Sequence, residues 1–312
     1  MIEFGEEIVT AQLLSGNRRV LARVISKIEN DDPSSDAILG VIASQIGSGY
    51  RIGITGPPGA GKSTLTSKLA LSLSKMGHHV AILAVDPTSP FSGGALLGDR
   101  VRMNEIFTDP NIFIRSMATR GSLGGLAEKA SEVSDVMEAA GFDRILIETV
   151  GVGQSELDVA KAADTTLVVL VPESGDSIQA MKAGLMEIAD VFVMNKSDRP
   201  ESEKAAESLR STLGFRDHDE TTWIPEVIPT SANSGKGIDE VLHQIERHRT
   251  FLSDRNLLES KRQRRHELWI REKIGRKLSE RFWSVENETE LKRLFFEKKN
   301  KYEIVSTLLN SE

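Results

Sequence analysis

The residues Gly56-Pro57-Pro58-Gly59-Ala60-Gly61-Lys62-Ser63 follow the apolar run Tyr50-Arg-Ile-Gly-Ile-Thr55 and match a glycine, any four residues, then Gly-Lys-Ser/Thr. That spacing is suited to a nucleoside triphosphate. Glycines let a backbone curl around an anion, and successive N–H groups plus a helix N-terminus then point at the phosphates. Lys62 is expected to reach the β- and γ-phosphates and to act in catalysis, the Ser63 hydroxyl to ligate Mg2+, and Thr64 to continue the loop into a helix with apolar spacing from Leu65 to Met76.

The phosphate loop touches only what ATP and GTP share, so the base must be read elsewhere. Asn195-Lys196-Ser197-Asp198 follows the apolar run Val191-Phe-Val-Met194. A carboxylate at Asp198 can accept paired hydrogen bonds from guanine N1–H and the exocyclic amine. Adenine has neither donor there and leaves the carboxylate unpaired, so the pattern favours guanine. The Lys196 stem can lie on the base, and Asn195 can pin its loop to the phosphate loop. Ser231-Ala232-Asn233 follows the last short apolar run and can bring a backbone N–H to guanine O6.

Magnesium takes oxygen ligands beside the β- and γ-phosphates. Candidates besides Ser63 are Asp86, Asp99 and Glu148. Asp86 and Asp99 have ordinary alternatives, a turn residue and a helix N-cap respectively. Glu148-Thr-Val-Gly151 stands where most such enzymes carry Asp-x-x-Gly; Glu148 is read as a catalytic and metal-site carboxylate, and the Gly151 N–H as a sensor of the γ-phosphate. Gln154 is the candidate for positioning the attacking water, and Arg120 is a second group that can approach the phosphates. The chemistry implied is in-line attack of water on the γ-phosphate, slow without a partner.

These groups need a rigid frame. From residue 50 onward, short apolar runs alternate with helical stretches, at Val80–Val85, Ile112–Ile114, Arg144–Glu148, Thr166–Val171, Val191–Met194 and Val227–Ile228. Continuous apolar strands between helices indicate a mostly parallel α/β sheet covered on both faces, with ligands at the strands' carboxyl ends. The expected organisation is a helical preface over 1–48, a P-loop domain over 49–250 and a helical dimerisation extension over 251–312, with helices at Ile238–Leu252, Leu257–Phe282 and Glu286–Leu309.

At 312 residues with 39% hydrophobic content the chain can build a sizeable core. It has no cysteine, which excludes disulfides, thiol redox chemistry and thiolate metal sites. No run is long enough to span a membrane and the first residues do not read as a signal peptide, so a cytoplasmic location is expected. The net charge of −7 disfavours bulk nucleic-acid binding. The basic stretch Lys261-Arg-Gln-Arg-Arg265, interrupted further on by glutamates, reads as a solvated helix or a dimer surface rather than a nucleic-acid face.

Longer strings narrow the reading. Asp86-Pro-Thr-Ser-Pro-Phe-Ser-Gly-Gly-Ala-Leu-Leu-Gly-Asp-Arg-Val-Arg-Met103, Phe113-Ile-Arg-Ser-Met-Ala-Thr-Arg-Gly-Ser-Leu-Gly-Gly-Leu-Ala127 and Glu148-Thr-Val-Gly-Val-Gly-Gln-Ser-Glu156 closely resemble the MeaB/ArgK GTPases. The resemblance covers nearly the whole chain. It implies a P-loop fold of the SIMIBI type and a homodimeric GTPase that serves an adenosylcobalamin-dependent acyl-CoA mutase of the methylmalonyl-CoA type, gating cofactor loading and protecting or reactivating the mutase. It leaves open which mutase is served and whether a cobalamin adenosyltransferase joins. By the same resemblance the segment 173–182 relays nucleotide state to the mutase, with Gln179 and Lys182 as candidates. Two alternatives stand beside it: a metal-insertion GTPase, which wants cysteines or a histidine tract, and a nucleotide-regulated scaffold with vestigial hydrolysis.

Overall fold

The computed structural model describes residues 3–86, 106–118, 125–149, 155–172, 184–214 and 222–310. Seven parallel strands, β1 (Tyr50–Thr55), β2 (Val80–Asp86), β3 (Ile112–Ala118), β4 (Arg144–Thr149), β5 (Thr165–Leu170), β6 (Val191–Met194) and β7 (Glu226–Pro229), form one sheet in the order β3-β2-β4-β1-β5-β6-β7. The chain runs outward from β1 to β2 and β3, returns to insert β4, and then crosses to β5, β6 and β7. The order therefore reverses around β1, and a ligand crevice belongs at the carboxyl ends of β4, β1 and β5.

Strand alternation sorts the apolar side chains onto two faces. On one, Ile52, Ile54, Ile82, Leu146, Leu167, Val169 and Val193 pack with Leu65 and Leu69 of the helix Lys62–Lys75 and with Val241 and Ile245 of the helix Ile238–Asp254. On the other, Ala81, Leu83, Val85, Ile145 and Ile147 meet Val133, Val136 and Met137 of the helix Gly125–Ala139. Val168, Leu170 and Phe192 continue that cover against Leu209 and Leu213 of the helix Ser202–Leu213.

The N-terminal helices Glu3–Leu14, Arg18–Glu29 and Ser34–Ile42 share that second core, through Leu13, Leu21, Val24, Ile25, Ile28, Ile38 and Ile42. Asn17 starts the middle one by accepting hydrogen bonds from the Arg19 and Val20 N–H groups at 3.1 and 3.3 Å. The chain falls into two compact units, Met1–Arg265 and His266–Glu312, with the boundary inside the helix Leu257–Phe282. In the second unit the expected single helix Glu286–Leu309 is two, Val285–Phe296 and Lys301–Leu309. Lys298 takes a left-handed φ of 57°, and the Asn300 side chain caps the new helix at the Tyr302 and Glu303 N–H groups.

The basic stretch is not solvated along its length. Asp164, with no exposure, accepts from Arg262 Nη2 and Arg265 Nη1, each at 3.0 Å, and from the Arg51 N–H. Burial alone raises that carboxyl, yet the Arg265 and Arg262 guanidiniums hold it at about 2. His248 has a different problem. It is 1% exposed, its Nδ1 is 2.8 Å from Thr165 Oγ1, and burial pushes its imidazole down to about 4 despite nearby Asp190.

That difference gives a pH dependence with a definite sign. The unfolded imidazole takes its proton near pH 6.5 and the folded one only near pH 4, so the unfolded state binds more protons between those values. Stability from the neutral imidazole is complete above pH 6.5 and is lost as pH falls towards 4, by on the order of 3 kcal/mol. Urea midpoints measured across this window should fall with pH in the parent chain and fall less in His248→Gln; identical slopes would refute the assignment.

Candidate functional site

The phosphate loop leaves β1 through glycines that nothing larger can replace. Gly56 has φ 136°, and a Cβ there would lie 2.1 Å from the Val169 carbonyl oxygen of β5. Gly61 has φ 90°, and its Cβ would lie 2.4 Å from Asn195 Nδ2. Both conformations are the left-handed ones that glycine adopts at no steric cost. The helix Lys62–Lys75 then begins at Gly61 with no side-chain cap, which leaves its first N–H groups directed at the loop's concavity.

Lys62 lies folded back over this loop. Its ammonium donates to the Gly56 and Pro57 carbonyls at 2.7 and 3.1 Å, and the residue is 7% exposed. Parallel pairing of β1 and β4 sets Ile54 beside Glu148, so the carboxylate arrives next to the loop that follows Thr55. Ser63 Oγ donates to Glu148 Oε1 at 2.6 Å, with Glu148 1% exposed. A hydroxyl and a carboxylate in contact are a hard-oxygen donor pair, the chemistry that Mg2+ takes. Among the described residues, no group of three or more His, Asp or Glu side chains forms a metal cage of its own.

Asn195 joins two loops at once. Its Nδ2 donates to the Ala60 carbonyl at 2.8 Å, and its Oδ1 accepts the Ala232 N–H at 3.0 Å. Lys196 takes a left-handed φ of 57°, uncommon for a residue with a side chain, and turns the chain so that Asp198 lies exposed. Ser231 Oγ donates to Asp198 Oδ1 at 2.9 Å, orienting one carboxylate oxygen. The backbones of the two loops are tied as well, Ser197 N–H to the Thr230 carbonyl at 2.9 Å and Thr230 N–H to the Met194 carbonyl at 2.8 Å. Asn233 is exposed beside buried Ser231 and Ala232.

The structure thus brings together Gly56 to Thr64, Glu148, Asn195 to Asp198 and Ser231 to Asn233. Asp86 ends β2 beside Ala118 of β3, one position beyond the Val85–Thr149 pair, and only its backbone is described. Asp99, Arg120, Gly151, Gln154, Gln179 and Lys182 lie outside the described residues. Sequence reasoning passed over Thr230, whose backbone links the two base-side loops, and the Thr149–Thr55 hydroxyl contact at 3.3 Å between β4 and β1. A threonine at the end of each strand was the available signal.

With this geometry in place, comparison with known proteins is decisive. The family model described as methylmalonyl Co-A mutase-associated GTPase MeaB matches residues 21–287. The chain belongs to the MeaB family. A putative GTPase of Pyrococcus abyssi is 49% identical over 258 residues, 82% of this chain and 80% of that one. The GTPase ArgK of Escherichia coli is 39% identical over 269 residues, covering 83% and 81%. The mouse protein named methylmalonic aciduria type A homolog, mitochondrial, is 37% identical over 288 residues, covering 86% and 69%. A solved structure described as LAO/AO transport system kinase superposes with a TM-score of 0.75 at 28% identity, covering 99% of this chain and 97% of that one. This MeaB-family chain is therefore a P-loop GTPase that binds GTP and GDP. No described helix is long and apolar enough to cross a membrane.

Asn195 offers a direct check on the site's construction. Asn195→Ala leaves the buried Ala60 carbonyl and Ala232 N–H without their partner, at a cost of about 2 kcal/mol or more. Urea unfolding should show that loss together with weaker GDP binding; full stability with unchanged binding would contradict it.

Proposed function

We propose that this MeaB-family GTPase acts in the cytoplasm as a chaperone of an adenosylcobalamin-dependent acyl-CoA mutase of the methylmalonyl-CoA type, with GTP hydrolysis timing cofactor loading and protection or reactivation of the mutase. The observation that carries this reading is the match of residues 21–287 to a family described by its association with methylmalonyl Co-A mutase. The named relatives without that description share the GTPase and add no competing client.

Within the site, Asp198 reads guanine N1–H and the exocyclic amine while Ser231 fixes the carboxylate's orientation. Ala232 N–H is already committed to Asn195 and Ser231 N–H to the Lys236 carbonyl at 3.0 Å, so the contact to guanine O6 falls to the neighbouring Asn233 N–H. Lys196 covers the base with its aliphatic stem, and Asn195 keeps the base loop in register with the phosphate loop. Ser63 and Glu148 hold Mg2+, directly or through water, with Asp86 and Asp99 as further carboxylates for it. When bound, Mg2+ neutralises charge on the β- and γ-phosphate oxygens. Hydrolysis forms a bond from water oxygen to the γ-phosphorus as the bond to the β,γ-bridging oxygen breaks. Lys62 leaves the Gly56 and Pro57 carbonyls to meet the phosphate charge, Gly151 N–H contacts the γ-phosphate, and Gln154 positions the water.

The partner reading includes a second copy of the chain. In the unit His266–Glu312, Val285 is 82% and Phe296 89% exposed, beside exposed Phe295, Tyr302, Val305 and Leu309. Exposed apolar side chains at this density mark an association surface. A cobalamin adenosyltransferase is a further candidate member of the assembly.

Two outcomes test these assignments. The parent chain should bind GDP far more tightly than ADP, and Asp198→Asn should weaken GDP by about ten-fold or more; equal affinity for the two nucleotides would refute the base reading. GTP turnover should rise on adding a B12-dependent acyl-CoA mutase, and the two proteins should co-elute in size-exclusion chromatography with light scattering. No stimulation and no co-elution would sink the chaperone reading, and the mass of a single chain would sink the dimer.

A further inference from the structure

The start of the helix Leu257–Phe282 grips the sheet at the end opposite the phosphates. Lys261 Nζ donates to the Asp164 carbonyl at 2.7 Å and to Asp190 Oδ2 at 3.3 Å. Arg262 reaches the Gly47 and Gly49 carbonyls at 2.5 and 2.6 Å as well as the Asp164 carboxylate. Gly49, Asp164 and Asp190 immediately precede β1, β5 and β6. The two sites of grip differ in redundancy. Asp164 is paired with both Arg262 and Arg265, whereas among the described residues Asp190 has one lysine or arginine partner, Lys261, beside His248, which is neutral near pH 7.

Asp190 is tied from every side that packs on it. Its Oδ2 accepts the Thr166 N–H at 2.8 Å, its N–H donates to the Thr166 carbonyl at 2.9 Å, its carbonyl accepts Trp223 Nε1 at 2.7 Å, and His248 Nε2 stands 3.4 Å from Oδ1. β6 has only four residues, all buried, so Asp190 and Asn195 are the two ends of one extended rod about 16 Å long. Close-packed interiors give little under such a rod, so a displacement at one end is carried to the other. At the far end is Asn195, which clips Ala60 of the phosphate loop to Ala232 of the base loop.

We propose that Lys261, acting through Asp190 and β6, is a positioning residue for the base-reading loop Asn195 to Asp198, so that the hold of the helix Leu257–Phe282 on the sheet sets guanine-nucleotide affinity. The proposal rests on the guanine reading above and extends it from the residues that touch the base to one that does not. It predicts a larger effect on binding than on chemistry, because Lys62 and Ser63 open the helix Lys62–Lys75 and Glu148 lies on β4, and β6 reaches them only through the Asn195–Ala60 hydrogen bond.

The test compares the full chain with Lys261→Met, Lys261→Arg, Trp223→Phe, Val24→Ala and Asp198→Asn, measuring affinity for a fluorescent GDP, its dissociation rate, turnover at saturating GTP and the thermal midpoint. Lys261→Met should weaken GDP binding about three- to ten-fold, through faster dissociation, with saturating turnover held within about two-fold and Lys261→Arg restoring affinity. Trp223→Phe, which removes the donor to the Asp190 carbonyl and part of the ring system packed on His248 and Phe251, should shift affinity in the same direction and decides the matter if Lys261→Met does not fold. Val24→Ala, in the opposite core, should lower the thermal midpoint and leave affinity unchanged. If Lys261→Met and Trp223→Phe leave affinity unchanged while Asp198→Asn weakens it, the proposal is overturned and the base reading stands. If Asp198→Asn also has no effect, both fall; if Lys261→Met and Val24→Ala weaken binding alike, the effect is general destabilisation and the proposal is overturned.

Discussion

Among the described glycines the tightest position is Gly56 against the Val169 carbonyl, where a Cβ would come within 2.1 Å of backbone that cannot yield. That contact seats the phosphate loop flat on β5, and much of the site follows from it. The residue after Val169, Leu170, offers its carbonyl to the Asn195 N–H at 2.7 Å, so the strand that supports the phosphate loop also supports the start of the base loop. Asn195 closes the circuit by returning to Ala60 and Gly61. Three strands, β1, β5 and β6, thereby bring three loops to one crevice with few side chains committed to the task.

Charge inside this protein is handled by close pairing. Arg51 is 2% exposed and meets Asp135 at 2.5 Å and Glu138 at 3.2 Å. Glu138 in turn accepts the Gly47 and Gly49 N–H groups at 2.5 and 2.7 Å. Isolated, each of these ions would be costly to bury; together they satisfy one another and the backbone that enters β1. The Arg262 guanidinium reaches the carbonyls of the same two glycines. The segment leading into the phosphate-loop strand is thus held from the helix Gly125–Ala139 on one side and from the helix Leu257–Phe282 on the other.

Mechanistically, the Ser63–Glu148 contact matters because its members come from distant parts of the chain with no freedom left between them. Ser63 is fixed by the first turn of its helix, where its carbonyl accepts Ser67 Oγ at 2.8 Å, and Glu148 by ladders to both β1 and β2. A hydroxyl–carboxylate pair held by the scaffold rather than by loops needs little reorganisation when charge arrives. The base side is organised more loosely, with exposed Asp198 steadied by a single hydroxyl.

The division between what was legible in the chain and what was not follows the range of the forces involved. Periodicity and turn chemistry act over a few residues, so the strands, the phosphate loop, the Asn195 to Asp198 pattern and the helices from Ile238 onward were readable from residue types alone. A local break was harder: Glu297-Lys-Lys-Asn300 has no glycine or proline, and only the left-handed Lys298 and the Asn300 cap reveal it. The membership of the N-terminal helices in the sheet's own core, and the destination of the basic run Lys261 to Arg265, depend on contacts between residues as many as 215 apart. Spacing along the chain carries no information at that separation. By itself, then, the sequence pointed to the chemistry: a triphosphate cradle, with Asp198 put forward as the guanine-reading carboxylate and Glu148 as the magnesium-site glutamate. Only the tertiary structure decided that Asn195 joins the two loops and that Lys261, Arg262 and Arg265 hold buried Asp164 and partly buried Asp190 while Arg264 stays exposed, because burial and ion pairing are settled by which surfaces meet in three dimensions.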